Sequence, residues 1–162
     1  MYKTAIITLS DSAVSGGRAD ESGPAIAAAL PVDSYTLHST HVLPDDAEKL
    51  KALLEHLCDA EKVDLILTTG GTGFSKRDVT PEATLAVAER NAPGIAEAIR
   101  AMSMQYTKRA MLSRGVSVIR GETLIINLPG SPKAVRECMS FIMDSVGHGL
   151  DILKGNAREC GR

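Results

Sequence analysis

An apolar run, Val63-Asp64-Leu65-Ile66-Leu67, passes directly into Thr-Thr-Gly-Gly-Thr-Gly-Phe-Ser-Lys-Arg-Asp-Val-Thr-Pro-Glu at residues 68–82. The run is short and rich in branched side chains, the composition of a buried strand. Thr80-Pro81-Glu82 is a helix start. Strand, glycine turn and helix in that order make the unit from which parallel α/β sheets are assembled. Residues 70–79 connect the two elements, whereas about 2–6 residues usually suffice. The excess length points to a ligand loop rather than to a tight turn alone. Glycines let backbone approach a ligand closely. Their N–H groups can cradle an anion, and threonine hydroxyls add donors. Lys76, Arg77 and Asp78 close the loop, a set suited to a phosphate and a metal ion together. No Gly-Lys-Ser/Thr follows, so this is not a P-loop. Gly70-Gly71-Thr72-Gly73 is too compact for the dinucleotide fingerprint.

The rest of the chain extends the same alternation. Strands are predicted at 4–9, 35–42, 63–69, 116–119 and 123–128. Helices are predicted at 24–30, 45–60, 81–90, 94–107 and 131–153, and the last residues are expected to fray. Leu50, Leu53, Leu54 and Leu57 follow i, i+3, i+4, i+7 spacing, the mark of an amphipathic helix. The expected fold is a three-layer α/β/α sandwich, its sheet mostly parallel with one antiparallel strand from the close pair at 116–128. In such sheets ligands bind outside the carboxyl ends of the strands. The loops at 10–23, 43–45, 69–79 and 128–131 all leave such ends.

Composition narrows the function classes. With 162 residues, the chain is read as a single domain, 1–162. A net charge of −2 favours neither nucleic acid nor an anionic membrane. Aromatics at 3%, with no Trp, leave little for base stacking. No apolar run reaches the roughly 18 residues of a membrane span, and residues 1–7 read as a first strand rather than a signal peptide. Cys58, Cys138 and Cys160 are scattered, without metal-ligand spacing, which points to a reduced, cytoplasmic setting. His38, His41, His56 and His148 form no motif.

Several residues carry two readings each. Asp78 either braces the turn before Thr80 or serves a magnesium ion or phosphate. Asp45-Asp46-Ala47-Glu48 fits a capping box with Asp45 as N-cap and Glu48 at N3, yet Asp45 also faces a ligand position. Ser131 and Pro132 suit N-cap and N1, and the same geometry offers N–H groups to a phosphate. Asn127 either hydrogen-bonds a base or ribose or stabilises its loop. Ser10, Asp11 and Ser12 are similarly two-sided.

With these residues in hand, the chain resembles the molybdenum-cofactor biosynthesis family. That family includes bacterial molybdopterin adenylyltransferases, related pterin-binding proteins and the N-terminal domain of gephyrin. The resemblance covers nearly the whole chain. It rests on Ser10-Asp11, the 69–78 loop, Asp78-Val79-Thr80-Pro81-Glu82-Ala83-Thr84, Met111-Leu112-Ser113-Arg114 and the 125–132 segment with Leu-Pro-Gly-Ser-Pro. It implies adenylyl transfer from ATP to molybdopterin with release of pyrophosphate. The alternative is a non-catalytic molybdopterin-binding or scaffolding oligomer. Asp45 and Asp78 match the catalytic pair and would hold Mg²⁺. Thr69, Gly70, Gly71, Thr72, Gly73 and Ser103 would bind the pterin substrate and its phosphate. Ser10, Asp11, Asn127, Pro129, Gly130 and Ser131 would face the nucleotide. A homotrimer is implied, as is contact with the molybdate-insertion enzyme. The stripe Ile95, Ile99, Met102 and Tyr106, followed by Met111 and Leu112, is the expected subunit contact.

Overall fold

Eight residues, Tyr2–Leu9, form β1 at the middle of one half of a six-stranded sheet. This is a computed structural model, and it describes residues 1–156, so the expectations for Cys160 and the last residues lie outside it. After β1 come α1 (Asp11–Val14), α2 (Ser22–Ala29), β2 (Tyr35–Leu43), α3 (Ala47–Asp59) and β3 (Leu65–Thr69). The second half contains α4 (Thr80–Val87), β4 (Arg90–Asn91), α5 (Pro93–Ser103), a 3₁₀ turn (Lys108–Leu112), β5 (Ser117–Arg120), β6 (Thr123–Leu128) and α6 (Pro132–Leu153). The strand order is β2-β1-β3-β6-β5-β4. β2, β1, β3 and β6 are parallel neighbours, and β5 runs against β6 and β4. One reversed strand in a mostly parallel sheet is the predicted architecture.

Alternation along the strands builds the three layers. Ile6, Leu65, Leu67, Leu124 and Ile126 pack on one face with Ile26 of α2, Ile99 of α5 and Val135 and Ile142 of α6. Ala5, Ile7, Ile66 and Ile125 face the other way, onto Leu50, Leu54 and Leu57 of α3 and Val87 of α4. β3 is buried along its full length, as a central parallel strand must be when helices cover both faces. Each fully buried leucine or isoleucine contributes roughly 1.5–3 kcal/mol of transfer free energy.

Several boundaries move, each for a local reason. α2 starts at Ser22 rather than at Pro24, because the Asp20 carboxylate accepts hydrogen bonds from the Ser22 and Gly23 N–H groups (3.1 and 3.0 Å). The segment through Arg90 leaves the helix at Val87. There the Glu89 N–H donates to the Ile119 carbonyl and the Ala92 N–H to the Ser117 carbonyl, which makes β4. Ala92 also precedes a proline, a position that disfavours helix. α5 stops at Ser103, and the Thr107 side chain caps the 3₁₀ turn by accepting from the Arg109 N–H. The α5 stripe divides. Ile99 and Met102 are buried in the core, whereas Tyr106, Met111 and Leu112 are exposed together with Met104.

The Asp45 capping box is corrected. The N-cap of α3 is Asp46, whose carboxylate accepts from the Lys49 N–H (3.1 Å) in an extended conformation (φ −131°, ψ 113°). Glu48 therefore lies one position too early for N3. Asp45 is instead tied across to the β1 loop.

Candidate active site

Parallel order brings the carboxyl ends of β1, β2, β3 and β6 to one edge of the sheet. The four loops that leave it are bonded to one another. The β3 loop turns through two left-handed glycines, Gly70 (φ 91°) and Gly71 (φ 68°). A Cβ at Gly70 would overlap the Leu9 carbonyl oxygen. One at Gly71 would overlap the Thr80 hydroxyl and lie 3.1 Å from Asp45 Oδ1. Glycine is required at both positions, by backbone angle and by space alike. Thr80 closes the turn, its hydroxyl donating to the Gly70 carbonyl (2.9 Å) and its N–H to the Gly71 carbonyl (3.1 Å).

Asp45 and Asp11 hold each other across the β1 and β2 loops. The Asp45 N–H donates to Asp11 Oδ1 (3.0 Å), and the Asp11 N–H donates to Asp45 Oδ2 (3.2 Å). Arg77 grips Asp11 with a fork, Nε to Oδ2 and Nη2 to Oδ1, both 2.9 Å. That guanidinium, with the Asp45 N–H, holds the Asp11 carboxyl below its ordinary pKa. Asp45 is pushed the other way. Partial burial raises its pKa, and the Asp11 and Asp78 carboxylates add to the rise against the Asp11 N–H bond. Asp78 Oδ2 accepts from the Ser75 N–H (2.9 Å), which shapes the tip of the glycine loop. Three carboxylates and one arginine thus meet at the loop, with Asp45 the one whose charge is least compensated.

Beside this cluster, Ser10, Ser12, Arg18, Asp20, Gly70 and Gly130 line a cavity of about 160 Å³. Ser10 caps α1, its hydroxyl accepting from the Ala13 N–H. Ser131 caps α6, its hydroxyl accepting from the Ala134 N–H (3.1 Å), so the start of a 22-residue helix faces the same region. The N–H groups at such a helix start favour an anion. A second cavity of about 200 Å³ opens on the far side of Pro129, between α5, the 3₁₀ turn and α6. Ser103 lies there, with Arg100, Ser113 and Glu137. Pro129 lines one cavity and Gly130 the other, so the β6 loop is the partition between them. The division of the candidates shifts accordingly. Gly70 shares the first cavity with Ser10 and Gly130, whereas Ser103 lies in the second.

Two candidates commit their side chains to hydrogen bonds within the protein. Asn127 is 3% exposed, with its amide donating to the Thr68 and Thr84 hydroxyls (2.9 and 3.0 Å) and its oxygen accepting from the Val116 N–H (3.2 Å). Both amide N–H groups and the oxygen are thus held by β3, α4 and the segment before β5, the loop-stabilising one of its two readings. Thr69 is fully buried, and its hydroxyl donates to the Pro129 carbonyl (2.7 Å). Its hydroxyl stitches the β3 and β6 loops, and the residue lines the first cavity beside Gly70. Thr72, also buried, contributes its carbonyl to the Arg114 N–H (2.8 Å).

Arg114, Arg18 and Asp20 were not singled out as site residues from sequence. Arg18 and Asp20 fall inside a loop whose polar character was legible but whose path was not. Arg114 is 36 residues from Asp78, and no local pattern links the two. Among the described residues, no group of three or more His, Cys, Asp or Glu has the arrangement of a preformed metal cage. Mg²⁺ is commonly held by one or two carboxylates plus substrate phosphates. An all-oxygen donor set with an undercompensated Asp45 fits that mode. Cys58 and Cys138 are buried thiols whose pKa burial raises, so neither is an activated nucleophile.

Comparisons with known proteins place the chain in a family. The model of the probable molybdopterin binding domain matches residues 5–148. A molybdopterin adenylyltransferase of Haemophilus influenzae is 43% identical over 153 residues, covering 93% of this chain and 77% of that protein. One of Escherichia coli K12 is 41% identical over 151 residues, covering 90% and 77%. The crystal structure of the molybdopterin biosynthesis enzyme MoaB from Thermus thermophilus superposes with a TM-score of 0.91 at 40% identity, covering 98% of this chain and 100% of that one. The Mog protein of Mycobacterium ulcerans gives 0.87 at 40% identity, covering 94% and 99%. The match runs from within β1 into α6 and so takes in every loop of the site, and the chain belongs to the family of the molybdopterin-binding domain.

Proposed function

We propose that this chain transfers the adenylyl group of ATP to molybdopterin, giving adenylyl-molybdopterin and pyrophosphate. The observation that carries this reading is the pair of cavities divided by Pro129-Gly130, with the Asp11–Asp45–Arg77 cluster and Asp78 beside the first. Two substrates have two places, and their phosphates meet at the glycine loop. The first cavity, at the starts of α1 and α6, receives the nucleotide; the second, at Ser103, receives the pterin.

The terminal phosphate of molybdopterin is anionic near neutral pH and needs no side-chain nucleophile. Its oxygen attacks the α-phosphorus of ATP, the new P–O bond forms, and the bond to the bridging oxygen breaks with both electrons leaving on pyrophosphate. The difficulty is to bring two polyanions together and to stabilise the departing charge. The Gly70–Gly73 backbone, the start of α6, Lys76 and Arg77 bring positive charge and donors to that point. Asp11 aims Arg77 through its bidentate grip. Asp45 and Asp78 would hold Mg²⁺, directly or through water, and the bound ion would supply charge neutralisation to the ATP phosphates.

Pyrophosphate release from ATP, measured with and without molybdopterin and with Mg²⁺ or a chelator, tests this reading. Release that requires both molybdopterin and Mg²⁺ is expected. Molybdopterin binding without any release would instead identify a binding or scaffolding protein. The exposed Met104, Tyr106, Met111 and Leu112 support assembly as a homotrimer. Sedimentation equilibrium at micromolar concentration then gives three times the 17.1 kDa chain mass, and a monomer mass would exclude the trimer. Adenylyl-molybdopterin is the form on which a molybdate-inserting enzyme would act. Among the described residues no helix is long and apolar enough to cross a membrane, and the free buried thiols support a cytoplasmic setting.

A further inference from the structure

The loop that carries Asp78 projects its tip into solvent. Phe74 is 71% exposed, and residues 74–77 are all exposed. Within the tip the bonds are local: Ser75 N–H to Asp78 Oδ2, Asp78 N–H to the Ser75 carbonyl (3.0 Å) and Arg77 N–H to the Ser75 hydroxyl (3.2 Å). Such a turn fixes its own shape but not its position on the protein. Two side chains supply the position: Arg77 ties the tip to Asp11 of the β1 loop (both bonds 2.9 Å), and Arg114 takes the stems. Arg114 Nε donates to the Gly73 carbonyl (2.7 Å), and Nη2 donates to the Asp78 carbonyl (2.8 Å). Nη1 pairs with Glu82 in the first turn of α4. The Arg114 N–H holds the Thr72 carbonyl (2.8 Å), so backbone and side chain together take both stems of the loop. Arg114 is itself held: Arg100 on α5 donates from Nη1 to the Gly115 carbonyl (2.7 Å), and Arg100 lines the second cavity.

We propose that Arg114 is a positioning residue for Asp78, its guanidinium fork spanning the Gly73 and Asp78 carbonyls and fixing where the glycine loop presents the Asp78 carboxylate. Arg114 touches neither proposed substrate position directly; it acts through the loop. The fork is essential to this role. Two carbonyls on opposite stems are reached by two N–H groups of one rigid plane, which a lysine ammonium on a flexible stem cannot reproduce. Displacement of a reacting group by about 1 Å can cost on the order of 100-fold in rate, so losing the fork should weaken turnover without emptying either cavity. The catalytic part of this proposal rests on the adenylyl-transfer reading; the holding of the loop does not.

Arg114→Lys in the full chain tests it, with Arg114→Gln as the second variant should the first not fold. Hydrogen exchange at the amides of residues 73–79 should accelerate by about tenfold or more while those of β3 and β6 stay unchanged. Under saturating ATP and Mg²⁺, kcat for pyrophosphate release should fall by at least about tenfold, with KM for molybdopterin within about threefold. In an Asp78→Asn background the same substitution should lower kcat by a clearly smaller factor than in the parent chain, because the Asp78 part of what Arg114 positions is already lost and only the Gly73 stem remains. Unchanged exchange in the loop overturns the proposal whatever the kinetics. An equal fractional loss with and without the Asp78 carboxylate also overturns it, since Arg114 would then act independently. A wild-type chain that releases no pyrophosphate would instead refute the transferase reading, and the exchange measurement would still decide whether Arg114 holds the loop.

Discussion

Asp78→Asn lowers the rate of pyrophosphate release by about 100-fold or more while the fold stays intact. The expectation follows from what the side chain does in each role. As a brace, Asp78 accepts one hydrogen bond, from the Ser75 N–H at 2.9 Å, and an asparagine oxygen accepts the same bond. Its backbone carbonyl, bound by Arg114, is untouched by the substitution. The change in stability should therefore stay within about 0.5 kcal/mol, as for most surface substitutions. What asparagine lacks is the negative charge that would hold a cation against the ATP phosphates. Losing one such electrostatic contact typically costs about 10²–10³-fold in turnover. Thermal unfolding and single-turnover rates on the same preparation check both halves. Near-normal turnover at saturating Mg²⁺ would return Asp78 to a turn-bracing role.

A paired experiment on Asp45 and Asp46 separates the two neighbours by function. Asp46→Ala removes the α3 cap, whose carboxylate accepts from Lys49 N–H, and should cost about 1 kcal/mol of stability with turnover retained. Asp45→Asn should do the reverse. An amide can still accept from the Asp11 N–H, and the substitution removes a charge that burial and the Asp11 and Asp78 carboxylates already disfavour in the folded state. The sign follows from the raised pKa: the folded protein binds the Asp45 proton more tightly than the unfolded chain does. Ionised Asp45 therefore costs stability as pH rises from the ordinary carboxylate range upward, and a neutral amide does not. Asp45→Asn is thus expected to be as stable as the parent or slightly more so at neutral pH, and about 100-fold slower. Denaturation midpoints and kcat for the two variants give a crossed pattern. Intact activity in Asp45→Asn would remove it from the catalytic pair.

How far such arguments reach from sequence depends on the range of the interaction. Hydrophobic periodicity identified the buried β3 and the amphipathic α3, because a strand or helix several residues long must present an apolar face to its neighbours. The loops at the carboxyl ends were also legible, since the order of strands and helices dictates where a parallel sheet leaves its open edge. Two-residue β4, four-residue α1 and the 3₁₀ turn were not. Elements this short have no periodicity of their own, and β4 exists because Glu89 and Ala92 find carbonyl partners on β5.

The glycine loop and its carboxylate belonged to the sequence alone, because a turn through two left-handed residues can be made cheaply only by Gly70-Gly71, and chemistry needing charge must spell it in side chains. Tertiary structure decided how those side chains are used. It moved the α3 cap from Asp45 to Asp46 by tying Asp45 to the β1 loop, and it spent the Asn127 amide and the Thr69 hydroxyl on neighbouring strands and loops. It also brought Arg114 across 36 residues to Asp78. A hydrogen-bonding group has the same inventory in every context. Which partner it meets within about 3 Å is set by the packing of elements distant in sequence, and that packing determines whether the group remains available for a ligand.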